Sequence, residues 1–250
     1  MDRKKSNDRG KELTMKDDIE SAHIVVRDCR NSILSNREWK ASYDHGLFHF
    51  TPSRMMNNPT LFSDCTFADV FIDHKTSWGA PIPSTFQAFF ADVVRALLPE
   101  DHKLILNIVD LYEGYFDPGE VIKDILEPEN LKYMFLDKEI GEKKHRTLVF
   151  ECPLEHLTEI TDKAFASSLI DIDGFVMKDP WIDKFQGWVS AGNTDIMFRQ
   201  LIRDVHLAFA VLGDHNGLFI VTDKLNLQEL RNLLLSPALE QEIQQYVSQA

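Results

Sequence analysis

The sequence predicts an α+β fold, with α/β as the alternative, built on a mixed β-sheet of about eight strands flanked by about eight helices. Short runs rich in β-branched residues recur at Phe67–His74, Leu104–Val109, Arg146–Glu151 and Leu218–Val221. Apolar residues spaced by three and four recur between them, as in Phe86, Phe89, Phe90, Val93 and Leu97. The two patterns interleave. From Arg146 to Met177 they read strand, helix, strand, an order that suits a crossover between parallel strands.

Met1–Lys16 is polar and mixed in charge and predicts a flexible segment, followed by one domain over 17–250. A division into two lobes near 111–118 is the alternative. Asp17–Asn36 places Ile19, Ala22, Val26, Cys29 and Ile33 along one side of a helix. Trp39–Phe50, bent at Asp44-His45-Gly46, reads as a hairpin, and Thr51–Cys65 as a loop. Phe67–His74 is a strand. Ser84 with Gln87 forms a capping box for the next helix, which Pro99 ends. Leu104–Val109 is an apolar run and predicts a strand covered on both faces. Asp117-Pro118 opens a short helix, and Leu131–Leu136 with Thr147–Glu151 reads as a hairpin. Leu154, Leu157, Ile160 and Ala164 then mark a helix behind Pro153, Asp171–Gly174 a turn, and Phe175–Met177 a strand. Asp179-Pro180 starts a short helix carrying Trp181, Phe185 and Trp188 on one side. Asn193 or Thr194 begins a long helix that runs to Leu212 and closes at Gly213. Leu218–Val221 is a strand, Asn226 with Glu229 caps a helix, and Ser236-Pro237 caps the last.

The net charge of −13 is unevenly spread. Residues 110–162 carry fourteen acids against six bases, while residues 1–20 carry six of each. Such a field repels nucleic-acid phosphate and attracts basic surfaces. It also serves, more plainly, as a solvated face that keeps the chain soluble. Cys29, Cys65 and Cys152 are few, odd in number and far apart, which predicts neither a disulfide framework nor a zinc site and points to the cytoplasm. No apolar run approaches the ~18–20 residues of a membrane span, so no membrane partner is expected.

The chemical motifs are sparse. Asp171, Asp173, Asp179 and Asp183 form an acidic cluster beside the aromatic stripe, and Asp171, Asp173, Trp181 and Trp188 are the candidate binding residues. A calcium loop does not fit: with Gly174 at the sixth position, Leu169 falls at the first and Pro180 at the twelfth. Turn and cap carboxylates beside a core aromatic stripe are the structural alternative. Asp73-His74-Lys75 puts an acid and a lysine on one side of a strand end, where an acid on a neighbouring strand such as Asp44 would complete a Mg²⁺ or Mn²⁺ site. The local order of helix, hairpin, strand and helix resembles the core of the PD-(D/E)xK nucleases over residues 17–110. That resemblance implies Asp44 and Asp73 as metal ligands, Lys75 as a catalytic residue, Gln87 on the following helix, and a nucleic-acid substrate. No proline precedes Asp44, and the 51–66 connection is long. His49-Phe50-Thr51 and His145-Arg146-Thr147 look like the paired motifs of the 2H phosphoesterases, but His74/Thr76 and His156/Thr158 repeat the spacing elsewhere.

The expected function is therefore that of an acidic cytoplasmic binding protein, of inhibitor, immunity or regulatory type. It would need no cofactor and would act on a basic protein partner. The alternative is the metal-dependent nuclease using Asp44, Asp73 and Lys75.

Overall fold

The computed structural model describes residues 19–30, 62–76, 83–110, 122, 127, 131–140, 143–165, 170–178, 195–211 and 217–249. Eight strands form one sheet: β1 Ile19–Asp28, β2 Thr66–Thr76, β3 Lys103–Asp110, β4 Tyr133–Ile140, β5 Lys143–Cys152, β6 Ile170–Met177, β7 Leu207–Val211 and β8 Gly217–Thr222. Their order across the sheet is β1-β2-β8-β7-β6-β3-β5-β4. All seven pairings are antiparallel, so the expected mixed sheet is corrected to an antiparallel one. The crossover from β5 to β6 does join strands of like direction. It skips β3, which lies between them and runs against both.

Five α-helices accompany the sheet among the described residues, fewer than the eight expected: α1 Pro83–Ala96, α2 Leu157–Phe165, α3 Asp195–Asp204, α4 Leu227–Leu234 and α5 Pro237–Gln249. A 3-10 turn, Leu154–His156, leads into α2. Helix against sheet on both sides gives an α+β architecture in three layers. On one side Phe89, Phe90 and Val93 of α1, Leu157 and Ile160 of α2, Leu230 and Leu234 of α4, and Leu239 and Ile243 of α5 meet Leu104, Leu106, Leu148, Phe150, Phe209 and Ile220. On the other, Leu201, Ile202 and Val205 meet Ile105, Val149, Phe175, Ala208 and Phe219. Successive residues of β3 alternate between the two cores, as a strand's period of two requires. Both faces are covered, so the central strands are largely apolar, with Asn107 and Asp173 as buried exceptions.

Three local readings are corrected. Residues 19–28 form strand β1 where the spacing of Ile19, Ala22 and Val26 predicts a helix. The β-branched run Ile24-Val25-Val26 suits a pleated edge: Ile24 and Val26 are buried while His23 and Arg27 are exposed. The helix expected to reach Leu212 stops at Asp204, and Leu207–Val211 forms β7, inserted between β6 and β8. Asp171–Gly174 is not a turn but the interior of β6. Conversely, α1, β3, the β4–β5 hairpin and the start of α4 stand where the sequence puts them. Asn226 accepts from the amides of Gln228 and Glu229, and the Glu229 side chain accepts from the Asn226 amide, completing the box. The hairpin over 39–50, the helix at Asp117-Pro118 and the Trp181/Phe185/Trp188 stripe lie outside the described residues, as does the segment 1–16.

Candidate functional site

Of the expected site residues, Asp73 and Lys75 lie on β2 and Asp171 and Asp173 on β6. Asp73 is exposed on β2, in register with His23 of β1, and Lys75 stands two residues on, in register with Ser21. Asp44 lies outside the described residues, as do Trp181, Trp188, His49 and Thr51. Strand β1 occupies the position of the opening helix on which the nuclease order rests. Asp171 and Asp173 are both on β6, in register with Val109 and Asn107 of β3. Asp173 is 1% exposed and lies inside the sheet rather than on a docking surface. Asn107, itself 0% exposed, donates its Nδ2–H to Asp173 Oδ2 at 3.3 Å. A buried polar group needs such a partner, which gives Asp173 a structural role in the sheet. His145 and Thr147 lie on β5. Among the described residues, no group of three or more His, Cys, Asp and Glu side chains is placed to hold a metal ion.

A second cluster joins segments remote in sequence. The His102 ring, just before β3, meets the His206 ring, just before β7, edge to face at 5.0 Å. His102 Nδ1 lies 2.7 Å from Asp101 Oδ1, and Lys178 Nζ lies 2.8 Å from Asp101 Oδ2. Hydrogen bonds from Lys178 and His102 hold the Asp101 carboxyl down to about 2. Burial, then the neighbouring His102 and Lys224, push the His206 pKa below its ordinary value, against the smaller upward pull of Asp101. The unfolded chain therefore binds more protons at His206 than the native one just below the ordinary histidine pKa of about 6.5. The stability this group contributes is complete above that pH and is lost as pH falls through the folded pKa. His206→Phe, which keeps a ring against His102 but cannot titrate, is expected to flatten this part of the unfolding free energy measured by urea titration from pH 7.5 to 5. Equal slopes in the two proteins would remove His206 from the account. The Asp101 contribution falls in a separate window, lost below about pH 4.

The cysteines are not poised for chemistry. Burial pushes the Cys29 and Cys152 thiols up and holds Cys65 at about 11, and all three are free. Cys65 instead accepts from buried Arg199 at 3.1 Å, and the same guanidinium pairs with Asp64 and with Asp223 at 3.4 Å. The side chains pin the 62–65 segment to α3.

The sheet's two outer strands differ. Along β1, Arg231 Nε donates to the Val26 carbonyl at 3.1 Å, and α4 and α5 pack against the strand. Strand β4 is the outermost on the other side and keeps Tyr133 and Phe135 exposed, at 43% and 40%. Their rings meet edge to face at 5.8 Å. Exposed aromatic side chains on an outer strand are the surface feature here with the physical character of an interaction site. No family model, no curated protein and no solved structure matches the chain. Sequence reading placed the strand but passed over Tyr133 and Phe135. Their signal was an aromatic pair two residues apart at the start of a hairpin that the topology leaves outermost. None of the described helices is long and apolar enough to cross a membrane.

Proposed function

We propose that the protein acts by protein–protein interaction, as a cytoplasmic binding protein of inhibitor, immunity or regulatory type for a basic partner. The observation that carries this reading is the outer strand β4, whose Tyr133 and Phe135 are exposed at 43% and 40%. Aromatic side chains of this kind supply the anchors of protein interfaces. The net charge of −13 supports the choice of partner, because summed like charge steers a basic surface in and keeps an acidic one away.

The acidic charge is not spread evenly over 110–162. The hairpin stretch 133–146 holds three acids against four bases. The excess therefore lies in 110–130 and in 151–162, where Glu155 and Glu159 are exposed at the start of α2. Reversal of Glu127, Glu155 and Glu159, exposed among the described residues, to lysine is the test. Binding of the partner captured by the wild-type chain is expected to fall at least about tenfold, chiefly through slower association. The melting curve should change little, since exposed sites usually contribute within about 0.5 kcal/mol each. Salt at about 0.5 M, where the Debye length is well below 10 Å, should mimic the reversal. Capture that survives both treatments would disprove the electrostatic part.

A further inference from the structure

We propose that His102 and His206 together chelate a divalent metal ion of the copper, nickel or zinc class, with Asp101 holding His102 in the binding tautomer. The site is independent of strand β4 and of the basic partner.

The fold brings the two imidazoles together from distant parts of the chain. His102 precedes β3 and His206 precedes β7, and in the sheet only β6 separates those strands. Each histidine is anchored through its backbone. The His102 amide donates to the Pro99 carbonyl at 3.0 Å, and the His206 amide to the Val176 carbonyl at 2.7 Å. The His206 carbonyl accepts from the Thr222 hydroxyl at 2.7 Å. The pair is thus tied to the ends of β6 and β8, and two ligands on rigid elements meet an ion at little ordering cost.

The separation suits chelation. The ring centroids lie 5.0 Å apart with the planes at 62°. Two imidazoles on one tetrahedral ion, at metal–nitrogen lengths of about 2.0–2.1 Å, have centroids about 5 Å apart. The angle between the planes is no obstacle, because each ring turns about its own metal–nitrogen bond. Behind the first ring stands a carboxylate, with His102 Nδ1 2.7 Å from Asp101 Oδ1. An ionised carboxylate only accepts, so Nδ1 carries the hydrogen and Nε2 the lone pair. Metal-ligating histidines are held in this way, by a carboxylate that fixes the tautomer and makes the free nitrogen a better donor. Lys178 engages the other Asp101 oxygen at 2.8 Å, which leaves Asp101 to orient the ring rather than to ligate.

The surroundings admit a dication. Lys178 is matched by Asp101, and Lys224 by Asp223 at 3.0 Å. Among the described residues no set of three His, Cys, Asp or Glu side chains is placed to hold an ion, so water fills the remaining positions, as at open sites. Imidazole nitrogen selects copper, nickel and zinc, whereas magnesium and calcium take oxygen.

The test uses the full chain and copper(II), whose unpaired electron broadens the resonances of the rings that bind it. At substoichiometric copper the His102 and His206 ring signals are expected to broaden together, before those of the other histidines among the nine. His102→Gln and His206→Gln should each weaken zinc binding in calorimetry by at least about tenfold. Each should also abolish the rise in melting temperature that saturating zinc gives the wild-type chain. Asp101→Asn, which keeps both rings, should weaken zinc binding by about tenfold. Excess magnesium should leave the copper broadening unchanged. Broadening of only one of the two rings, or of other histidines first, overturns the site. Zinc affinity that neither glutamine variant alters overturns it as well. Loss of the copper broadening on adding magnesium would assign the ion to carboxylates and overturn the imidazole pair. Full zinc affinity in Asp101→Asn overturns the part given to Asp101.

Discussion

Replacing Gly174 by alanine is expected to destabilise the protein by about 2–4 kcal/mol, at the upper end for overpacking a core. Gly174 sits in the middle of β6, in register with Phe209 of β7 on one side and Leu106 of β3 on the other. The Phe209 ring lies over the glycine, and a Cβ there would overlap the ring's Cζ and both Cε atoms. The ring cannot swing away cheaply. It is fully buried, and Phe90 of α1 meets it edge to face at 6.0 Å from the helix side. Phe209→Leu removes the ring atoms that would be struck, at a cost of its own of roughly 1–2 kcal/mol. The double variant should therefore be more stable than the sum of the two losses predicts, by about 1 kcal/mol or more. Urea unfolding of the four proteins at one pH measures the cycle. A Gly174→Ala loss within about 0.5 kcal/mol, or strict additivity, would show that the strand relaxes around the new carbon.

The same pair of strands shows where the sequence was readable. An amphipathic helix or a capped start announces itself locally, as α1 and the Asn226/Glu229 box do. A strand buried on both faces, such as β3, reads as a short apolar run, and its flanking loops settle the matter. β7 has the same buried character, but it follows α3 with only Val205 and His206 between them. Its Ala208 and Phe209 continue the spacing of Leu201, Ile202 and Val205, so periodicity alone extends the helix. Strand β1 misleads for the opposite reason, since half-buried β-branched residues also fell at helical intervals. Among the described residues the eight strands thus include β1 and β7, which were not expected, while the hairpin expected over 39–50 lies outside those residues. Asp171–Gly174 carries two of the residue types that strands avoid. Both have tertiary reasons to be there, Asp173 in the hydrogen bond from Asn107 and Gly174 under the Phe209 ring. The candidate site was legible only in pieces. The acidic charge is a property of composition. The outermost place of β4 is set by the order of strands, and the meeting of His102 with His206 by the return of β7 beside β6.

Asn107→Asp is expected to be the more severe change at neutral pH and to weaken as the solution is acidified. Asn107 and Asp173 face each other across β3 and β6, both sealed from solvent, and the amide donates to the carboxylate at 3.3 Å. The substitution alters neither volume nor shape. It removes that donor and sets a second carboxyl against the first. Two carboxylates this close in a buried site do not both ionise, so one pKa of the pair is driven up. With the buried donor lost and like groups facing each other, the native state is expected to lose roughly 3–4 kcal/mol at pH 7 relative to the wild type. The sign follows from proton counting. Between the unfolded carboxyl pKa of about 3.9 and the raised folded value, the native variant holds a proton that the unfolded chain has lost, so its stability falls as pH rises. The deficit should be largest at pH 7 and shrink toward pH 4. Exchanging the partners in Asn107→Asp/Asp173→Asn restores one amide and one carboxylate in reversed order. It should recover at least half of the loss, because the donor and acceptor again meet across the same pair of strands. A deficit that does not vary with pH, or no recovery in the exchanged protein, would mean that the stability of this part of the sheet does not depend on the charge and hydrogen bonding of that pair.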